Sequence, residues 1–162
     1  MQTAVILKLL VLLAVANGMP VIAKRLLGER LARPLDGGAT FVDGRPLFGA
    51  SKTLRGFVSA VAAASLAAPL LGLTPGTGFA IGAGAMAGDL LSSFIKRRLG
   101  FALSSRATGL DQIPESLIPA LLCWRDLSLT AIDVAVAVGI FLVGEILASR
   151  LLFWMHIRDR PY

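Results

Sequence analysis

The stretch GFAIGAGAMAGDLLSSFIKRRLG, residues 78–100, joins a long apolar run to an acid, two serines and three cations. A helix needs about 20 mostly apolar residues to cross about 30 Å of hydrocarbon, and this run supplies most of them. Small residues recur four apart, as Gly78 and Gly82 and again as Gly84 and Gly88. Because this spacing lets helix backbones approach closely within lipid, the stretch predicts a packed membrane helix with a polar end.

The composition of the whole chain also indicates a membrane protein. Of its 162 residues, 56% are hydrophobic and 16% are charged, and the mean hydropathy of +0.76 exceeds that of ordinary soluble domains. The net charge of +6 is not accompanied by a basic face with stacking aromatics, so we predict contact with the lipid bilayer and none with nucleic acid. The single Cys123 excludes an internal disulfide.

The apolar segments predict an all-α fold, a polytopic membrane helix bundle of about five transmembrane helices. Two polar cytoplasmic loops, about 24–55 and 96–111, separate the helices, and the whole chain, 1–162, forms a single integral-membrane domain. The letters TPGTG, residues 74–78, predict a tight reversal before the third helix. The predicted spans are Thr3–Ala23, Gly56–Leu73, Phe79–Ile95, Ile113–Trp124 and Ala131–Phe153, of which the fourth is the shortest.

The first span has an alternative interpretation as a cleaved signal peptide. Lys8 would end its charged region, LLVLLAVA would be its apolar region, and Ala14 and Ala16 would flank the cleavage site. Against this, apolar residues lie on both sides of Lys8 and continue past Pro20, and the basic letters KRLLGER follow as a stop signal. The sequence therefore favours a transmembrane helix.

The basic residues predict the orientation in the membrane. If the N-terminus is outside, fourteen of the sixteen Lys and Arg residues lie on the cytoplasmic side, and only Lys8 and Arg125 do not. This is a strong positive-inside signal, and it agrees with an odd number of spans. We expect a multi-pass protein of the cytoplasmic membrane with its N-terminus outside and its C-terminus in the cytoplasm.

The polar end of the third helix is a candidate functional site. Asp89, Ser92, Ser93 and Lys96 share one helix face, and Arg97 lies at its margin. An acid inside a membrane span is costly, so it is a functional-site hypothesis by default. Arg98 points the other way and is predicted to act as a membrane anchor.

A second cluster lies in DGRPLFGASKTLRG, residues 43–56. Ser51, Lys52, Thr53 and Arg55 are suited to phosphate oxygens. A Walker A motif is excluded because Lys52 comes two residues too late for it. The alternative is a basic interfacial loop that touches lipid headgroups.

A third cluster lies in GLDQIPES, residues 109–116, where Asp111, Gln112 and Glu115 stand at the start of the fourth helix. An ordinary helix-capping arrangement would have the same letters. All three clusters fall on the predicted cytoplasmic side, and together they offer carboxylates for Mg²⁺ and cations for phosphates. Among the remaining candidates, Asp133 and Glu145 are buried acids, Asp133 being close to the outer interface, and a catalytic role for His156 is disfavoured.

Four segments, in the same order and at compatible spacing, make the chain resemble the CDP-archaeol synthase family. They are PLDGG (34–38), DGRPLFGASKTLRG, GDLLSSFIKRRLG (88–100) and LDQ (110–112). This family consists of integral-membrane, CTP-dependent cytidylyltransferases that are distantly related to phosphatidate cytidylyltransferases. The resemblance covers about residues 33–123.

The resemblance implies transfer of CMP from CTP to a membrane lipid phosphate, forming a CDP-activated lipid and pyrophosphate, with Mg²⁺ required. It implies that Asp89 and Asp111 are Mg²⁺ ligands and that Lys52 and Lys96 are catalytic. The implied substrate contacts are Ser51, Thr53, Arg55, Ser92, Ser93, Arg97, Gln112 and Glu115.

The chain departs from the family where the letters DQIPES replace an expected DQ-x-D-F. Glu115 could supply the displaced acid, although Pro114 alters the start of the helix. The acceptor stays open between an archaeol-type lipid phosphate and phosphatidate. The alternative from another class is a non-enzymatic lipid-binding scaffold or transporter subunit, and the Gly-spaced helix allows either internal packing or a homodimer.

Overall fold

The computed structural model describes residues 1–103, 105 and 107–154, with side chains as far as Ala148. Arg106, His156, Arg158 and Arg160 of the topology and site predictions lie outside these residues, as does the side chain of Arg150. The described part is all-helical and contains no strand, which confirms the predicted fold class. Its five helices are α1 (Thr3–Leu27), α2 (Leu54–Ala67), α3 (Pro75–Arg98), α4 (Gln112–Leu122) and α5 (Ala131–Trp154).

Four of these helices are long and apolar enough to cross a membrane: α1, α2 with the 3₁₀ turn that extends it to Leu71, α3, and α5. The fourth helix is about as short as the predicted segment Ile113–Trp124, and unlike the other four predicted spans it is too short to cross a membrane. It has 11 residues, or about 16 Å, because Cys123 ends it and a series of turns continues to the start of α5. The helix and these turns together connect the two ends of the bundle.

Contacts at the chain start define the two ends. The backbone N of Gln2 donates to the Asp133 carboxylate (2.9 Å), and the Gln2 side chain donates to the carbonyl of Ser128 (2.6 Å). The α4–α5 turn therefore lies beside the start of α1, at what we call the terminal end of the bundle. The opposite end, where α1 finishes at Leu27 and α3 finishes at Arg98, is called the cavity end.

Helix α3 is the centre of the bundle. Half of its most apolar window is buried, against 28% or less in the other three spans. A Cβ at Gly82 would lie 2.9 Å from the Val61 Cα of α2, and a Cβ at Gly84 would lie 2.9 Å from the Pro119 Cα of α4. The glycine spacing therefore serves helix packing inside the chain, on both faces of α3.

The predicted reversal at residues 74–78 is displaced. Thr74 caps α3 by accepting from the N–H of Thr77 (3.1 Å), and Pro75 occupies the first turn, where its missing N–H costs nothing. The chain reverses just before this, at Gly72, whose φ of +69° suits a residue without a Cβ. Proline and glycine here mark the beginning of a helix.

Candidate functional site

The three predicted clusters meet around one cavity of about 1030 Å³ at the cavity end of the bundle. The first loop (residues 28–53) and the second loop (99–111) form its outer walls, and all five helices contribute to the rest. Of the predicted site residues, those that line the cavity are Ser51, Lys52, Thr53, Arg55, Asp89, Ser93, Lys96, Arg97, Asp111, Gln112 and Glu115.

The first loop owes its shape to one carboxylate. Asp36 accepts from the backbone N–H groups of Gly38 (2.9 Å), Phe48 (3.1 Å) and Gly49 (3.1 Å). Burial raises the pKa of Asp36, but these three hydrogen bonds outweigh it and hold the pKa below its ordinary value. Asp36 belongs to the PLDGG segment, and its bonds fold residues 36–49 into a closed turn.

The closed turn positions Lys52 beside α3. The Leu35 N–H donates to the Lys52 carbonyl (2.7 Å), which fixes the backbone of Lys52 beside the base of the loop. Its ammonium then reaches Asp89 and lies 2.6 and 2.7 Å from the two carboxylate oxygens. The pair is about one-quarter exposed and faces the cavity, so both charges remain accessible to a ligand.

A second lysine–aspartate pair lies farther along α3. The Lys96 ammonium is 2.6 Å from Asp111 Oδ1, in an ion-pair contact outside hydrogen-bond geometry. Lys96 also donates to the Ser105 carbonyl (2.9 Å), and Asp111 Oδ2 accepts from the Ala107 N–H (2.9 Å). The second loop is thereby folded back over α3, with its acid in the cavity.

Several predicted substrate contacts have partners within the protein. Ser92 is fully buried and donates to the Asp89 carbonyl (2.9 Å), and the structure does not bring it to the cavity lining with the other predicted contacts. Thr53 caps α2 by accepting from the Gly56 N–H (3.2 Å). Gln112 accepts from the Gly109 N–H (2.8 Å).

Two predicted phosphate-binding arginines also support loop carbonyls. Arg55 donates to the carbonyls of Gly28 (2.7 Å) and Arg30 (2.6 Å), which holds the beginning of the first loop. Arg97 is buried and donates to the Ala102 carbonyl (2.9 Å). Both still line the cavity, so each guanidinium shapes a loop and contributes positive charge to the same space.

Arg98 does not serve as the predicted membrane anchor. Its guanidinium donates to Asp43 (2.6 Å) and to the Pro46 carbonyl (2.6 Å), and it lies 4.9 Å from the ring centres of both Phe41 and Phe94. The ion pair with Asp43, the hydrogen bond to Pro46 and the cation–π contact with Phe41 join it to the first loop, whereas Phe94 belongs to α3 itself. The residue points away from the Asp89 face, as predicted, but it fastens the first loop to α3.

The sequence analysis missed one wall of the cavity. Asn17, Pro20, Val21, Lys24 and Arg25 line it from one face of α1, at the i, i+3, i+4, i+7 spacing of a helix. Lys24 and Arg25 had been used only to predict the orientation of the chain in the membrane. The sequence did carry one signal of this wall, because the amide of Asn17 lies inside an apolar span on the same helix face as these two cations.

Three further acids of the helices, Glu115, Glu145 and Asp133, have different positions. Glu145 of α5 lines the cavity, and Glu115 of α4 is buried close enough to feel the charges of Asp89, Glu145 and Asp111. Asp133 is fully buried at the terminal end, where the Thr130 N–H (3.0 Å) and hydroxyl (2.7 Å) donate to it in addition to Gln2. Asp133 joins α5 to the start of α1 and is remote from the cavity.

The donor set is compatible with a hard cation that is bound together with a substrate. Among the described residues, no three His, Cys, Asp or Glu side chains are grouped closely enough to hold a metal by themselves. Asp89 and Asp111 nevertheless both face the cavity. Mg²⁺ is commonly bound by one or two carboxylates and completes its octahedron with water and phosphate oxygens, so these two residues fit it.

Comparison with known proteins gives the same family as the sequence motifs. A family model described as CarS-like, CDP-archaeol synthase, matches residues 3–76 and 74–162. The CDP-archaeol synthase of Thermofilum pendens is 33% identical over 154 residues, covering 91% of this chain and 76% of the relative. That of Aeropyrum pernix is 38% identical over 131 residues, covering 77% of this chain and 65% of the relative, so the match spans less than two thirds of that relative's length.

A solved structure also resembles this fold. It is described as an intramembrane enzyme for archaeal membrane lipids biosynthesis, and it superposes with a TM-score of 0.69 at 32% identity. The superposition covers 85% of this chain and 90% of that chain. The likeness therefore extends over most of the chain.

Proposed function

The chain belongs to the CDP-archaeol synthase family, and we propose that it transfers the cytidylyl group of CTP to a lipid phosphate of the archaeol type. A phosphate oxygen of the lipid attacks the α-phosphorus of CTP, the bond between the α- and β-phosphates breaks, and pyrophosphate leaves. The lipid phosphate is already a nucleophile, so no serine or cysteine intermediate is needed. Positioning and neutralisation of charge are the protein's main contributions.

The observation that carries this proposal is the presence of two lysine–aspartate pairs on one cavity at the end of an apolar bundle. Lys52 with Asp89, and Lys96 with Asp111, form ion pairs across the wall that α3 provides. Without a ligand, each carboxylate is neutralised by an ammonium. Asp89 and Asp111 would hold a divalent metal, and the ammonium groups of Lys52 and Lys96 would then pair with phosphate oxygens of the triphosphate.

In this scheme Asp89 and Asp111 hold Mg²⁺, which when bound offsets the negative charge of the triphosphate. Lys52 and Lys96 take phosphate oxygens, and Arg55 and Arg97 add positive charge at the same end. Ser51 and Ser93 line the cavity as further hydrogen-bond donors. The buried Glu115 stands one residue after the position where the family pattern has another acid, and we assign it to substrate binding.

We place the cavity end on the cytoplasmic side. CTP is a cytosolic nucleotide, and the cations that line the cavity stand at this end of the bundle, as the positive-inside rule requires. Helices α1, α2, α3 and α5 face lipid with exposed side chains such as Leu7, Val58, Leu91 and Ile140. The phosphate of a membrane lipid would then meet CTP at the boundary between bilayer and cytosol.

The test is a substrate panel with the purified full-length chain in liposomes. CTP and Mg²⁺ are supplied with an archaeol-type phosphate, phosphatidate or polyprenyl phosphate, and pyrophosphate and CDP-lipid are measured. We expect turnover with the archaeol-type phosphate, and in inverted membrane vesicles we expect external CTP to be consumed. Absence of turnover with all three acceptors would overturn the proposal in favour of a lipid-binding scaffold, and turnover only in right-side-out vesicles would overturn the orientation.

A further inference from the structure

The first loop ends in a tight turn with an apolar corner, residues 41–45, which we call the loop tip. The Phe41 N–H donates to the Arg45 carbonyl (2.8 Å), and the Gly44 N–H donates to the Phe41 carbonyl (2.9 Å). Val42 occupies the corner and is 93% exposed, more than any other large apolar side chain in the part of the chain that the structure describes. Turn corners usually hold Gly, Pro, Asn, Asp or Ser. The turn itself therefore gives no reason for a valine here, and contact of its side chain with water is unfavourable.

The loop tip packs against the last turns of α3. The rings of Phe41 and Phe94 meet edge to face, with their centres 5.3 Å apart. The Arg98 guanidinium lies 4.9 Å from both ring centres and donates to the Asp43 carboxylate (2.6 Å). These contacts fix the position of the tip along α3, between Phe94 and Arg98.

The tip covers the continuation of a lipid-facing stripe of α3. Ala87, Leu91, Phe94 and Arg98 follow one another at the i, i+4, i+7, i+11 spacing of one helix face. Ala87 and Leu91 are exposed, and α3 is long and apolar enough to cross a membrane. Exposed apolar side chains of a spanning helix contact lipid. The surface on which the tip lies is therefore continuous with the surface that α3 presents to the bilayer.

The height of the tip matches the boundary of the hydrocarbon core. At 1.5 Å per residue, Phe94 lies about 28 Å along α3 from Pro75, and Arg98 lies about 34 Å along it. The hydrocarbon core of a bilayer is about 30 Å thick. If it begins at the start of α3, Phe94 lies just inside the boundary at the cavity end, together with Phe41. Arg98 then lies just outside the boundary, at the level of the headgroups.

The charges around the tip suit this level. Asp43 is neutralised by Arg98, so this pair brings no net charge to the boundary. Arg45 is exposed and donates to the carbonyls of Arg97 (3.0 Å) and Arg98 (2.9 Å), which places its cation beside the end of α3. Lipid phosphates are the complementary anions at that height. Apolar side chains at the boundary with a cation just beyond them repeat the order of lipid chains and headgroups.

We propose that the loop tip inserts into the bilayer leaflet at the cavity end, with Val42 against lipid chains and Arg45 against lipid phosphates. None of the five tip residues lines the cavity, so this surface is separate from the candidate site. The contact needs a membrane but does not depend on the proposed function. Since the loop is closed on Asp36 and continues to Lys52, the bilayer surface sets the height of the segment that carries Lys52.

The test measures the surroundings of an environment-sensitive fluorophore attached to Val42→Cys in the full-length chain. The native Cys123 is the only cysteine and is fully buried, so the wild type serves as the labelling blank. The labelled chain is reconstituted into liposomes of anionic phospholipid, and emission is quenched either by nitroxides on the lipid chains or by iodide in the water. Leu91→Cys is the lipid-facing control. Glu29→Cys, at an exposed position of the same loop that lines the cavity, is the water-facing control.

The label on Val42→Cys should emit at a shorter wavelength than the label on Glu29→Cys, lose emission to the lipid nitroxides as the Leu91→Cys label does, and resist iodide. Quenching by iodide as strong as at Glu29→Cys, without quenching by the nitroxides, would overturn the proposal. Protection from both quenchers would also overturn it and indicate that protein, such as a second copy of the chain, covers the tip. Thermal melting checks the fold and should be unchanged, because the Val42 side chain is almost fully exposed.

Discussion

Asp89 and Asp133 are both acids within long apolar helices, yet their surroundings are opposite. Asp89 is about one-quarter exposed, faces the cavity, and is neutralised by the flexible side chain of Lys52. Asp133 is fully buried, and it accepts from the N–H of Gln2 and from the N–H and hydroxyl of Thr130. One acid has a mobile counter-charge, and the other is enclosed by fixed donors.

The difference shows what makes a membrane acid available for chemistry. A lysine on a loop can move from its carboxylate to a phosphate oxygen. The carboxylate would then be available to a metal, and few charges would be left unpaired. Backbone donors at a helix start cannot move away from their acceptor without opening the helix, so a carboxylate that they bind has a structural role. Burial of the acid is therefore a weaker indicator of function than the kind of partner that it has.

The largest effect is expected from Asp89→Asn. The amide keeps the shape of the side chain but loses the charge that would hold Mg²⁺, and removal of one preorganised electrostatic group commonly lowers kcat about 10²–10³-fold. Pyrophosphate release with CTP and the archaeol-type phosphate measures this, and thermal melting in detergent checks the fold. Full activity in this variant would remove Asp89 from the site.

A smaller loss is expected from Gly88→Ala, which tests how the inner acids are positioned. An added Cβ would collide with the Pro114 carbonyl and lie 2.6 Å from the Glu115 Cα, so α3 and α4 must separate. Overpacking of this kind costs about 1–3 kcal/mol, and displacement of Glu115 and Asp111 relative to Asp89 should lower activity about 10–100-fold. Thermal melting and kcat measure the two effects.

The matched control for this prediction is Gly139→Ala, because a Cβ there meets nothing within 4 Å. It should leave both quantities within about twofold of the wild type or slightly raise stability, since alanine is the better helix former. Equal behaviour of Gly88→Ala and Gly139→Ala would contradict the close contact between α3 and α4.

The smallest effect on activity is expected from Asp133→Asn, and this variant tests the difference between Asp133 and Asp89. Loss of the carboxylate leaves its donors poorly matched at the junction of α1 and α5, so the free energy of unfolding should fall by about 1–3 kcal/mol. Since the residue is remote from the cavity, kcat should stay within about twofold of the wild type at temperatures well below the melting point. A loss of kcat as large as that of Asp89→Asn, with stability unchanged, would give Asp133 a role in the chemistry.

Much of the bundle could be predicted because it depends on local patterns. Helix α1 begins at Thr3, as predicted, but it continues to Leu27, past the basic residues where the predicted span ends. Basic side chains can extend from an apolar helix into water, so charge alone does not end a helix. Helix α4 corresponds to the shortest of the predicted spans, and it is the helix that falls below spanning length.

The site was predicted less completely because its members come from distant segments. Asp89 was identified by helix periodicity, and Lys52 and Asp111 by residue type in two other segments; the structure places all three on one cavity. Arg98 was misassigned because its partners Phe41 and Asp43 lie more than 50 residues away in the chain. Asn17 was missed because a single amide in an apolar run has no motif.

The sequence by itself determined the membrane bundle, the helix periodicity and the polar face of α3, because hydropathy and spacing act over a few turns of one helix. Only the tertiary structure decided which charges meet. It brought Lys52 to Asp89 through a loop closed on Asp36, assigned Asp133 to the terminal end, and placed Asn17 in the wall of the cavity. These outcomes depend on contacts across the chain, whose distances are set by helix packing rather than by neighbouring residues.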